Sequence, residues 1–143
     1  MIQELHVFTD GGSRGNPGAA GIGVAVYGDK DKIIFEKSAF IGVTTNNVAE
    51  YEALLQAMKW LEDFLKQNAV GQVKFFSDSQ LLVEQVNGRY KVKQQHLQEY
   101  VQKILALRQK ITNAETSTIF LHIPREKNKK ADALVNLALD AQR

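Results

Sequence analysis

The stretch Phe8-Thr9-Asp10-Gly11-Gly12-Ser13-Arg14-Gly15-Asn16-Pro17-Gly18 constrains this chain most, because an apolar run passes directly into four closely spaced glycines with an acid at the junction. Glycine tolerates positive φ and the close approach of another group, and Pro17 stiffens the exit. The stretch reads as a turn that reverses the chain and offers its backbone to a ligand. Its spacing fits neither G-x-G-x-x-G nor G-x-x-x-x-G-K-[ST], and the residues after it, 19–27, alternate like a strand rather than a helix. A dinucleotide or nucleotide-triphosphate loop is excluded on both counts.

The remaining elements follow from periodicity. Residues 2–9, with Leu5, Val7 and Phe8, suit a central strand; Ala20, Ile22, Val24 and Val26 share one face of a second; Gly28-Asp29-Lys30-Asp31 makes a tight turn into a third over residues 32–41. After the capping cluster Thr44-Thr45-Asn46-Asn47, Tyr51, Leu54, Leu55, Met58, Leu61, Phe64 and Leu65 recur at helical spacing. Residues 73–76 form a short buried strand, and Ser77-Asp78-Ser79-Gln80 opens a short helix carrying Leu81, Leu82, Val83 and Val86, ended by Asn87-Gly88. A further helix covers residues 95–111, with Leu97, Val101, Ile104, Leu105 and Ile111 on its apolar side. A last strand over 118–123 stops at Pro124, and Ala131, Leu134, Val135, Leu137 and Ala138 mark a C-terminal helix. The order β-β-β-α-β-α-α-β-α predicts an α/β fold with a mixed five-stranded sheet, three antiparallel strands followed by two parallel ones, flanked by helices. With 143 residues and no repeat or linker, one domain over 1–143 is expected.

Four acids stand where these elements change: Asp10, Glu50 in the first turn of the long helix, Asp78 just past the fourth strand, and Asp132 in the first turn of the last helix. Singly, each has a structural reading. Asn47 with Glu50 and Ser77 with Gln80 match capping boxes, and acids suit the positive end of a helix. Together they read differently, since ligands collect beyond the carboxyl ends of parallel strands and the helices return to that edge. Four like charges in one pocket call for divalent cations, and an all-oxygen set selects Mg²⁺, with Mn²⁺ as a substitute. A pair of such ions can hold an attacking water and a leaving oxygen on opposite sides of a phosphodiester, which makes phosphoryl hydrolysis the expected reaction class.

A formal net charge of +2 is too small to demand a polyanionic partner, but the charge is uneven. Residues 88–110 hold Arg89, Lys91, Lys93, Lys103, Arg108 and Lys110 against Glu99 alone, and Arg125, Lys127, Lys129 and Lys130 cluster near the end. Beside a carboxylate site, both patches become phosphate contacts. With no cysteine, signal peptide or long apolar run, the chain is expected to be cytoplasmic, with no membrane and no evident protein partner, and to act as a monomer.

Four spaced motifs, Thr9-Asp10-Gly11-Gly12 with Asn16-Pro17-Gly18, Thr44-Thr45-Asn46-Asn47 followed by Glu50, Ser77-Asp78-Ser79-Gln80, and Asn128 ahead of Ala131-Asp132, stand in the order seen in type 1 ribonuclease H. The chain resembles that family over nearly its whole length. The resemblance implies an endonuclease that cuts the RNA strand of an RNA–DNA hybrid with two Mg²⁺ ions, leaving 5′-phosphate and 3′-hydroxyl ends. It implies that Asp10, Glu50, Asp78 and Asp132 are the catalytic, metal-binding carboxylates, with Asp10 bridging both ions. Glu50 and the Gly11 backbone match positions that read 2′-hydroxyls; Asn16, Asn46, Asn47 and Gln80 match contacts to bases, sugars and phosphates; Thr45 matches a position beside a DNA phosphate. Two departures stand out. The long basic, tryptophan-rich protrusion of many members is reduced here to Gly88-Arg89-Tyr90-Lys91-Val92-Lys93, the pattern of a shorter branch, so hybrid affinity is expected to rest on Arg89, Lys91 and Lys93. No histidine lies between Pro124 and Lys130, where those members hold one in a mobile loop; Arg125 is the first choice as a replacement phosphate contact, with His122 read as a packed or half-exposed strand residue and His6 and His96 as structural. Two other readings remain: a nuclease of the same fold acting on another nucleic acid such as double-stranded RNA, and a hybrid-binding module without catalysis.

Overall fold

The computed structural model describes residues 1–142. β1 (Ile2–Gly15) alternates, burying Leu5, Val7 and Thr9 on one side and half-burying Glu4, His6 and Phe8 on the other. It pairs antiparallel with β2 (Gly18–Tyr27) from His6 opposite Tyr27 to Gly15 opposite Gly18, and β2 pairs antiparallel with β3 (Ile33–Thr44). The glycine-rich stretch is thus not the turn its composition predicts. It is strand, and only Asn16 and Pro17 make the reversal.

What the glycines provide is room for helices. A Cβ at Gly11 would lie 2.2 Å from the Ala49 carbonyl in α1 (Asn46–Phe64), and one at Gly23 would lie 2.2 Å from the carbonyl of Ala131 in α4 (Lys129–Asp140). Gly12, pointing opposite to Gly11, faces Val135 of α4, so α1 and α4 cover opposite faces of the sheet. This double cover is why every residue from Ala20 to Val26 is buried, where alternation alone predicts one apolar face.

The α1 crossover leads into β4 (Val70–Ser77), parallel to β1, and β5 (Ser117–His122) adds parallel to β4, giving the sheet order β3-β2-β1-β4-β5. Between β4 and β5 lie α2 (Gln80–Val86) and α3 (Gln95–Ile111). The main core joins Leu5, Val7, Val24 and Val73 of the sheet to Leu54, Met58 and Leu61 of α1 and Ile104 of α3. Fully burying each such side chain contributes about 1.5–3 kcal/mol. Three residues expected on apolar helix faces, Leu81, Leu105 and Leu137, are instead exposed.

The helix starts differ from the predicted capping boxes. Thr45 caps α1 by accepting from the Val48 N–H at 3.3 Å, and Ser79 caps α2 by accepting from the Leu82 N–H at 3.2 Å. Glu50 is the fifth residue of α1, just beyond its first turn, and α2 opens only at Gln80. The predicted tight turn at residues 28–31 contains a short 3₁₀ segment, Asp29–Asp31. Among the described residues, no helix is long and apolar enough to cross a membrane.

Candidate active site

The register of the two central strands places the first two acids. Phe8 lies opposite Phe76 in the parallel β1–β4 pair, so Asp10 and Asp78, each two residues further on, emerge side by side on the same face. The close contact of α1 with Gly11 holds Glu50 at the same end. One carboxylate oxygen from each of Asp10, Glu50 and Asp78 lies within 4.8 Å of the others. Asp132, in the first turn of α4, is set over the site because Ala131 packs on Gly23, the β2 partner of Asp10, and its carboxyl faces that of Asp10 closely enough for its charge to act on it. All four acids line one cleft of about 350 Å³.

The electrostatics are those of like charges crowded into a buried cleft. Burial, then the charges of Asp78 and Asp132, push Asp10 up from 3.8 to about 8, although the Gly11 N–H donates to its Oδ1 at 3.0 Å. Burial, then Asp10 and Asp78, hold Glu50 well above the usual carboxylate range, and its Oε2 is buried with no hydrogen-bond partner. Burial also raises Asp78, opposed by a hydrogen bond from Asn128 and by the charge of Arg125. A buried oxygen without a donor, inside a set of hard oxygen ligands, fits a divalent cation held by Asp10, Glu50, Asp78 and Asp132.

Of the other residues singled out in the sequence, Gly11, Asn46 and Arg125 also line the cleft. Asn46 accepts from the Ser13 N–H at 2.8 Å, and its own N–H donates to Asn16 Oδ1 at 3.1 Å. These amides fasten α1 to the β1–β2 turn through their carbonyl oxygens, leaving their NH₂ groups for a ligand. Thr45, Asn16, Asn47 and Gln80 stand outside the lining of the cleft, Asn47 and Gln80 being exposed. Arg89, Lys91 and Lys93 are exposed beyond α2 and outside the lining of the cleft, with Arg89 paired to Glu84 at 2.8 Å.

His122 is exposed rather than packed, and pairs with Ser77 across β4–β5 so that its charge reaches Asp78. His6 bonds Glu4 at 2.8 Å, whereas His96 is exposed at the start of α3. Two features of the site escaped the sequence reading. Asn128, known from the sequence only as a motif residue, makes no side-chain cap: it is buried, and its NH₂ donates to the Thr9 carbonyl at 2.9 Å. Arg14, at the far end of β1, lines the cleft; its motif position next to Ser13 was the available signal.

A five-stranded β3-β2-β1-β4-β5 sheet with a carboxylate cluster over β1 and β4 defines the ribonuclease H-like class of α/β folds. The profile of a family described as reverse transcriptase-like matches residues 8–138. The chain is 43% identical over 141 residues to the bifunctional protein Rv2228c of Mycobacterium tuberculosis, covering 96% of this chain and 36% of that protein. It is 36% identical over 136 residues to ribonuclease HI of Halobacterium salinarum, covering 95% of this chain and 64% of that one. Among solved structures, LC11-RNase H1 in complex with an RNA/DNA hybrid is similar at 46% identity and a TM-score of 0.89, over 96% of this chain and 98% of that one. The chain belongs to the type 1 ribonuclease H family. It spans roughly a third of the mycobacterial relative and under two thirds of the Halobacterium one.

Proposed function

We propose that the protein hydrolyses the RNA strand of RNA–DNA hybrids, leaving 5′-phosphate and 3′-hydroxyl ends. The convergence of Asp10, Glu50 and Asp78 oxygens within 4.8 Å carries this reading, and the likeness to a relative solved with an RNA/DNA hybrid supports it. Mg²⁺, replaceable by Mn²⁺, would be held by Asp10, Glu50, Asp78 and Asp132. Bound there, divalent ions supply Lewis acidity toward the phosphoryl oxygens and neutralise developing charge.

The chain's own groups do the rest. Asn128 ties the start of α4 to β1 through the Thr9 carbonyl, next to Asp10, and favours the charged form of Asp78. Glu50 and the Gly11 backbone lie where a ribose edge would be read, the 2′-hydroxyl being what separates RNA from DNA. The donor ends of Asn16 and Asn46, with Asn47 and Gln80 on the exposed helix starts, contact bases and sugars near the cut. Thr45 uses its oxygen as an acceptor in capping, which leaves its O–H for a phosphate of the DNA strand. Arg125 takes a phosphate beside Asp78, while Arg89, Lys91 and Lys93 hold the duplex further out. Since one sheet joins strands from Ile2 to His122 with helices up to Asp140 packed on it, and one chain supplies all four acids, residues 1–143 are read as a single domain acting as a cytoplasmic monomer.

One end-labelled sequence presented as hybrid, double-stranded RNA, single-stranded RNA and double-stranded DNA tests the proposal in Mg²⁺, Mn²⁺ or chelator. The expected result is cleavage of the hybrid's RNA strand, lost with chelator. Hybrid binding without cutting under either ion would make this a non-catalytic module, and cutting of DNA would assign another substrate.

A further inference from the structure

Apart from the acids, the cleft is lined by two cations, Arg125 and Arg14, which stand on different sides of it. Arg125 follows β5 and its charge acts on Asp78. Arg14 lies four residues beyond Asp10 on β1, roughly 13 Å along the strand, and pairs with Ala19 of β2. Strand periodicity puts Asp10, Gly12 and Arg14 on one face. Gly12 stands between the two charged residues, and the nearest atoms to a Cβ there are Asn46 Oδ1 and Val135 Cγ1, both at 3.9 Å. No side chain rises from β1 between the acid and the guanidinium.

The partners of Arg14 define what it can do. Its Nη2 donates to Asp140 Oδ1 at 2.7 Å and to Asn136 Oδ1 at 3.4 Å, both on α4. Asn136 in turn donates to the Asp132 carbonyl at 3.2 Å. Both contacts of Arg14 use Nη2, so the N–H groups of Nε and Nη1 remain as separate donors. The side chains of Arg14 and Asp140 are 41% and 52% exposed, and an ion pair so wet is weak compared with the forked contact a guanidinium makes to a phosphate.

We infer that Arg14 binds a backbone phosphate of the substrate adjacent to the one being cut, with Asp140 orienting its guanidinium and tempering its charge. The inference rests on the hybrid-nuclease reading and adds a contact on the β2 side of the cleft, opposite Arg125. It also distinguishes two roles for the Arg14–Asp140 pair. A clamp holding α4 to β1 would make loss of either partner harmful in the same way. A phosphate site makes the two losses opposite in sign.

Steady-state cleavage of a short hybrid in Mg²⁺, at a series of salt concentrations, separates these with Arg14→Gln and Asp140→Asn, both of which can keep hydrogen bonds to α4. Arg14→Gln should raise KM about 5–10-fold, with the change falling in KM rather than kcat, and should reduce the salt slope of log(kcat/KM) by roughly 0.7–0.9, the value of one phosphate. Asp140→Asn should lower KM about 2–3-fold by removing a negative charge beside the phosphate. An unchanged KM and salt slope in Arg14→Gln, or a raised KM in both variants together with lowered melting temperatures, would overturn the inference while wild type cuts the hybrid. Wild type that neither binds nor cuts the hybrid would overturn the hybrid reading and this inference with it.

Discussion

At Asp10 the site works against the stability of the fold. Its carboxyl is raised from 3.8 to about 8, so between those pH values the folded chain keeps a proton that the unfolded chain has released. Stability of the metal-free protein should therefore fall as pH rises through that window and level off above it. Asp10→Asn should remove much of this slope. At pH 9 without metal the variant should melt higher than wild type by about 3 °C or more, the shift of roughly 1 kcal/mol in a chain of this size, while cleavage falls at least about 10²-fold. Mg²⁺ should raise the melting temperature of wild type, more at pH 9 than at pH 5, and leave Asp10→Asn nearly unmoved. Calorimetry across pH with and without Mg²⁺, beside a cleavage assay, checks all three; a variant that cuts normally would remove Asp10 from the site. The positions of the acids were legible because each stands where an element begins or ends. Their protonation was not, since it depends on how deeply Glu50 and Asp10 are buried and on which carboxyl faces which.

Among the elements, the two acid-bearing helices are positioned by missing side chains. Gly11→Ala and Gly23→Ala would each drive a Cβ to 2.2 Å from a helix carbonyl, so α1 or α4 must move, at a cost of about 3 kcal/mol or more. Gly12→Ala, with neighbours at 3.9 Å, should change stability by less than about 0.5 kcal/mol. Denaturant midpoints of the three variants test this, and equal losses at all three would show that the glycines serve strand geometry instead of helix approach. The order and type of every main element could be read from the chain, as the α3 bounds at Gln95 and Ile111 illustrate. The stretch from Gly11 to Gly15 could not. Close glycines mean either a bend or a close neighbour, and only the packing of Ala49 decides between them. Likewise Asn128 stands in the chain as a bare motif residue, and only the approach of β1 gives its NH₂ an acceptor at Thr9.

For the molecule as a whole, binding charge is divided between the cleft and the exposed segment after α2, with a net charge of only +2. Lys91 is exposed and does not line the cleft, so Lys91→Ala should weaken hybrid binding uniformly across sequences and reduce the salt slope by about 1 without altering cleavage position. Titrations at several salt concentrations give the slope, and one identical to wild type would take Lys91 out of the interface. The chain order of the acid cluster has another consequence. Its members come from residues 10, 50, 78 and 132, and the bond from Asn128 to Thr9 closes a span of 119 residues. Contacts so distant in sequence form late, after the loops they close. A nascent chain still short of α4 holds three of the acids without the fourth or the asparagine that steadies Asp78. The acid cluster is therefore completed only once α4 has emerged, and a chain cut short of α4 lacks its fourth acid.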